Sequence, residues 1–176
     1  MALTQITGDG LATSGLPAGS VINIVSTTKT DTFSHTSTSY ADVTGLTASI
    51  TPSSSSNKIL IMVGINAGYE DDGTSSRRGA FSIFKGDTNL ITPTSPSSRI
   101  GGIVEIMENV QPYGSVNIGY TFLDSPATTS STTYSVRVKN HGGGSSAVYV
   151  NRGTDDTDSS ITVRGASTIT LMEIAQ

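Results

Sequence analysis

The run NKILIMVGINAGY, Asn57 to Tyr69, constrains the fold of this chain more than any other stretch. Read with period two, it puts Ile59, Ile61, Val63 and Ile65 on one face and Leu60 and Met62 on the other. A half-exposed strand alternates apolar with polar residues, whereas a strand apolar on both sides must be covered on both sides. The closing TITLMEIA, Thr168 to Ala175, has the same character, with Leu171, Met172 and Ile174 flanking a single acid, Glu173. Glu173 is expected to be a solvent-facing alternate; the other option is a polar residue that sets register at a subunit contact.

Around these two segments, period two recurs and turn residues arrive every ten positions or so. Val21–Val25 begins a strand that is expected to continue through Asp31–Ser37. Leu46, Ala48 and Ile50 alternate, and Ala80–Phe84, Ile103–Val110, Val116–Phe122, Tyr134–Val138, Ala147–Val150 and Ile161–Val163 read as further strands. No long segment keeps a 3.6-residue period between helix-start and helix-stop signals. The expected fold class is all-β, an antiparallel β-sandwich or jelly roll of about ten strands. A small all-β head without helices has one obvious cover for a second apolar face, which is another copy of itself. Leu60, Met62, Leu171, Met172 and Ile174 are the expected subunit interface. The competing expectation places residue 60, 62 or 172 under a loop or the amino-terminal strand.

The first nineteen residues behave differently. Met1–Gly19 has no alternation, is punctuated by Gly and Pro, and cannot bury enough apolar area to order itself. It carries scattered hooks at Leu3, Ile6, Leu11, Leu16 and Pro17. Such a segment gains structure when laid along a partner, often by adding a strand to a sheet edge. The division is an extended arm over 1–19 and a β head over 20–176.

Composition removes several function classes. Charged residues are 14 %, the formal net charge is −4, and the basic residues are scattered apart from Arg77–Arg78. A nucleic-acid binder would carry a basic stripe, so no nucleic-acid partner is expected. The longest apolar run, Ile59 to Val63, is far shorter than a membrane span. No Cys is present, which excludes disulfides and thiolate chemistry and fits assembly in a cytoplasm. The start shows no basic region followed by an apolar stretch, so no secretory signal is expected.

Candidate chemistry is thin. GDGLATSG lacks the strand, the helix and the glycine spacing of a dinucleotide loop. His35 and His141 sit in separate turn-like contexts, and no catalytic residue is assigned. Glu70, Asp71 and Asp72 precede Arg77 and Arg78 and read as self-compensating charge. Asp155, Asp156 and Asp158 are dense hard-oxygen donors and the candidate Ca²⁺ set, but their spacing is not that of an EF-hand; no metal or cofactor is assigned. Tyr113, Tyr120, Tyr134 and Tyr149 are expected in the core or in strand pairs, leaving no aromatic surface on which a sugar would stack.

TDTFSHTSTSYADVTGLTASITPSSSSNKILIMVGI and SSITVRGASTITLMEIA together resemble a β-rich module of tailed-bacteriophage virion proteins. That module occurs at the distal ends of tail fibres and as free-standing structural proteins, notably in phages of marine bacteria. GDGLATSGLPAGSVINIV is similar to the linker that leads into it. The resemblance implies a trimeric jelly roll on the outside of a virus particle, made in the host cytoplasm, with no catalytic residues. The chain shows an arm and a head without a shaft, which favours a capsid decoration or cement protein, or a short fibre, fixed to other virion proteins. The alternatives are a tail-fibre tip that binds a host surface glycan or other receptor, and a free carbohydrate-binding module.

Overall fold

The computed structural model of the chain describes residues 16–69, 79–92, 94, 102–106, 113–141 and 146–176. Leu3, Ile6, Leu11, the segment from Glu70 to Arg78 and the second half of the expected Ile103–Val110 strand lie outside the described residues. Among the described residues there are eleven strands: β1 (Val21–Lys29), β2 (Phe33–His35), β3 (Ala41–Ile50), β4 (Lys58–Tyr69), β5 (Gly79–Lys85), β6 (Thr88–Asn89), β7 (Val104–Ile106), β8 (Val116–Asp124), β9 (Thr132–Asn140), β10 (Val148–Val150) and β11 (Ser167–Ile174). All pairings are antiparallel, and the strands form two sheets, as the alternation predicts.

The first sheet is built on β4. β8 runs along one edge of it, from Ile59↔Asp124 to Ala67↔Val116. The other edge is shared by β11, which pairs with Lys58 to Gly64, and β10, which pairs with Ala67 to Tyr69. β1 lies outside β11 and β2 outside β10, so the sheet forks beyond β4. The second sheet runs β3, β9, β5, with β6 and β7 sharing the far edge of β5.

The core lies between the sheets. The odd-numbered residues of β4 from Ile59 to Tyr69 point inward, with Ile169 and Leu171 beside them. Val43, Leu46 and Ile50 of β3, Phe81 and Ile83 of β5, and Tyr134, Val136 and Val138 of β9 meet them from the other sheet. Each such side chain contributes about 1.5–3 kcal/mol by leaving water.

The first strand ends at Lys29 instead of running on to Ser37, and Asn151 supplies the reason. Its amide Nδ2 donates to the carbonyls of Lys29 and Asp31, both at 2.9 Å, taking acceptors that a continued ladder would use. Asn151 itself is fully buried in a left-handed conformation, φ 63°. Its Oδ1 accepts from Ser167 Oγ at 2.7 Å, and its backbone N–H donates to Asn66 O at 2.8 Å. Gly165 closes the same hub: its N–H reaches Asn151 O, and a Cβ there would fall 2.3 Å from Asn66 Oδ1.

Two further expectations are corrected. Ile161–Val163 is not a strand: it leaves a turn at Ile161 and runs on as irregular chain, with Ile161 59 % and Val163 38 % exposed. The Thr162 hydroxyl donates to the carbonyls of Thr157 and Ser159, a local alternative to a ladder. Of the four tyrosines, Tyr134 and Tyr149 are buried and Tyr120 half-buried, but Tyr113 lies exposed in a turn.

Asn151→Ala orphans the Lys29 and Asp31 carbonyls and puts alanine, which disfavours the left-handed region more than asparagine does, at φ 63°. The lost hydrogen bonds, together with the loss of asparagine's tolerance for the left-handed region, cost about 3 kcal/mol, which lowers Tm by about 10 °C in calorimetry for a domain of this size. A Tm within a degree or two of wild type would contradict the hub's role.

Candidate functional site

With the odd residues of β4 and β11 inside, the even residues form the outer face of the first sheet. The register aligns them across four strands. Ile24 of β1 stands opposite Met172 of β11, Met172 opposite Leu60 of β4, and Leu60 opposite Leu123 of β8. This is an unbroken apolar row whose ends, Ile24 and Leu123, are 57 % and 48 % exposed. The next row is Ser26, Thr170, Met62 and Thr121, with Met62 also largely exposed. The third is Thr28, Thr168, Gly64 and Gly119. The missing side chains at Gly64 and Gly119 leave a low floor, and an open depression of about 320 Å³ forms there between Met62 and Met172. None of these three rows contains a charged residue; the first charge is Lys58, in the row beyond with Ile174 and Val21. An uncharged face with a continuous apolar row is the signature of a surface that meets another surface.

Leu60, Met62, Met172 and Ile174 therefore lie together on one face; alternation sets Leu60 and Met62 apart from the inner residues of β4, and the β4–β11 register brings Met172 and Ile174 beside them. Leu171 does not: it is fully buried between the sheets of a single chain. Glu173 has the same parity and is also turned inward, contrary to the expected solvent-facing position. It lies where the 51–57 loop closes the end of the sandwich. Its Oε1 accepts from Ser53 N–H and Ser53 Oγ, both at 2.7 Å, and from Asn57 Nδ2 at 2.6 Å. Burial pushes this carboxyl's pKa up, but the hydrogen bonds from Ser53 and Asn57 outweigh it and hold the pKa below the ordinary 4.5.

The chain enters the head beside this latch. Pro17 O accepts from Ser20 N–H in a turn with Gly19 at φ 89°, and Gly19 N–H and Ser20 O pair with Ala175. Among the described residues, pairing thus starts at Gly19. Leu16 lines a small groove there with Ile22, Asn57 and Ala175.

The other candidate residues are taken up structurally. Asp156 accepts from Arg152 at 2.8 Å and from Arg164 at 2.7 Å, while the Arg152 guanidinium lies 4.0 Å over the Tyr149 ring. Asp155 caps the Thr157 N–H, and among the described residues no three acids or histidines gather as a metal site, so Asp155, Asp156 and Asp158 do not form one. His35 Nε2 sits 3.0 Å from Ser39 O, and His141 is exposed at the end of β9. Asp124, buried on β8, accepts from Lys85 at 2.9 Å and from the Tyr134 hydroxyl at 2.7 Å, which ties the two sheets together. Burial first, and Asp124 second, raise the Tyr134 phenol far above its usual range. No protein-family model matches the chain, and no curated protein matches it.

Glu173→Ala leaves the Ser53 and Asn57 donors buried and unpaired and costs about 3 kcal/mol; Glu173→Gln keeps an acceptor and costs about 1 kcal/mol. The folded-state pKa is the depressed one, so the carboxylate's contribution is complete above pH 4.5 and is lost as pH falls through the folded value. Urea melts from pH 6 downward are expected to show a shallower acid decline for Glu173→Gln than for wild type. Identical slopes would contradict this assignment.

Proposed function

We propose that the chain is a non-enzymatic structural protein of a tailed-phage virion. In this reading it is a homotrimeric β head fixed to the particle surface by residues 1–19, as a capsid decoration protein or a short fibre. The observation that carries self-association is the uncharged outer face of the first sheet, with Ile24, Met172, Leu60 and Leu123 in one row. Covering exposed apolar area contributes about 25 cal/mol per Å², and no loop among the described residues hides Met62, Ile24 or Leu123. Cyclic symmetry is the usual way for identical chains to cover such a face, and the threefold order is what the resemblance to virion modules implies.

The arm reading rests on the point of entry. The described chain joins the sheet at Gly19 through two hydrogen bonds to Ala175, and fifteen residues precede Leu16. Three arms leaving one trimer would add their contacts through high local concentration.

Met62→Lys places a charge in the centre of the face without touching the core. It is expected to reduce the particle to single chains of 18.1 kDa in light scattering, with the far-ultraviolet strand signal unchanged. Retention of the wild-type mass by this variant would remove the face from the interface. Deleting residues 1–15 is expected to leave the oligomer intact and abolish incorporation into particles; unchanged incorporation would leave the arm with no anchoring role.

A further inference from the structure

The outer face of the second sheet is the chemical opposite of the first. β3 carries a wide bulge: Asp42 stands opposite Arg137 and Thr47 opposite Ser135, so Val43 to Leu46 share the space of Val136 alone. Val43 and Leu46 both turn into the core, and Gly45 takes φ 83° to allow it. The bulge makes Asp42 and Thr47 successive paired positions on β3, facing Arg137 and Ser135.

Arg137 is held in place from every side. Its guanidinium lies 4.4 Å over the Phe84 ring, and Tyr40 meets that ring edge-on at 5.3 Å. Nε donates to Asp42 Oδ1 at 2.8 Å. Nη2 donates to Gly86 O at 3.0 Å and to Asp87 Oδ1 at 3.1 Å, both in the turn between β5 and β6. Ser135 Oγ donates to the same Asp42 Oδ1 at 2.7 Å. Burial raises the Asp42 pKa, but the bonds from Ser135 and Arg137 and the guanidinium charge override it, and the group stays ionised at neutral pH. Asp42, Gly86, Asp87, Ser135 and Arg137, with Thr47 and Thr133, line an open cleft of about 200 Å³.

All the described bonds use Oδ1 of each aspartate and Nε or Nη2 of the arginine. Asp42 Oδ2, Asp87 Oδ2 and Arg137 Nη1 take no part in these bonds, and they belong to residues that line the cleft. The charges select the ligand class. A phosphate or sulfate would meet two carboxylates, and a metal cation would meet a guanidinium between its would-be ligands. A neutral polyol meets neither penalty: neighbouring hydroxyls donate to the two carboxylates, and an ether or hydroxyl oxygen accepts from Nη1. The arginine is already immobilised, so little side-chain entropy is lost on binding.

We propose that this cleft, Asp42–Arg137–Asp87 with Thr47 and Thr133, binds a single neutral pyranose unit of a glycan. The site is complete within one chain and lies on the sheet opposite the proposed interface, so a closed oligomer displays it outward. The dissociation constant of one such shallow site is about 1 mM, and several copies on one particle raise apparent affinity for a glycan surface by roughly 10²-fold or more.

The test is a titration of the ¹⁵N-labelled full chain with methyl hexopyranosides and neutral oligosaccharides (lactose, maltotriose, chitotriose), followed by amide shifts. Saturable shifts at Thr47, Gly86, Asp87 and Thr133 are expected. The Asp87 side chain is fully exposed, so Asp87→Ala is expected to leave Tm unchanged and weaken binding about tenfold or more. Arg137→Lys, which loses the planar fork, is expected to weaken it similarly. Three results would each overturn the proposal: no saturable shift at the cleft with any of these saccharides at roughly 50 mM, saccharide binding untouched by Asp87→Ala, or occupation of the cleft by phosphate or Ca²⁺ only. The Met62→Lys chain is expected to bind saccharide as wild type does, so failure of self-association and failure of the cleft are separate outcomes.

Discussion

The pairing of β4 with β11 and β8 is the constraint on which the rest depends. It places Ile59, Ile61, Val63 and Ile65 against the second sheet, and by the same register it lines up Ile24, Met172, Leu60 and Leu123 on the outside. A slip of one residue would exchange the faces and put the isoleucines in water. The outer row is thus fixed by the pairing that makes the core, and it cannot be removed by repacking. Only a covering surface removes it from solvent.

The two outer faces differ in chemistry. Three adjacent rows of the first sheet present apolar side chains and hydroxyls without charge; the second sheet presents a tied network of Asp42, Arg137 and Asp87, with the guanidinium over the Phe84 ring. Between them, polar groups close the sandwich where apolar packing stops. Asn151 gathers the ends of β1, β10 and β11, Glu173 pins the 51–57 loop, and Asp124 joins Lys85 to Tyr134 across the sheets. Each of these groups is buried with its principal partners in place, which is the condition for a polar group to hold a fold together.

Strand alternation made the inward set of β4 readable before any coordinates, because its inner positions are all β-branched or long aliphatics up to Ile65. In β11 it could not decide which face was inside, since Leu171 and Met172 are equally apolar neighbours. Once Leu171 is in the core, Glu173 must follow it inward, and only the distant Ser53 and Asn57 make that position tolerable. Ile24 and Leu123 were invisible as partners because cross-strand register is a property of pairing and not of either segment. The cleft was hidden for the same reason: Arg137 lies 95 residues from Asp42 and 50 from Asp87 in the chain. Ile161–Val163 misled through β-branched composition, where the Thr162 hydroxyl captured nearby carbonyls instead.

If sister chains shelter the outer face of the first sheet, sedimentation equilibrium of the wild-type chain at micromolar concentration gives a single species at three times the chain mass of 18.1 kDa. A stable species at the mass of one chain would contradict it.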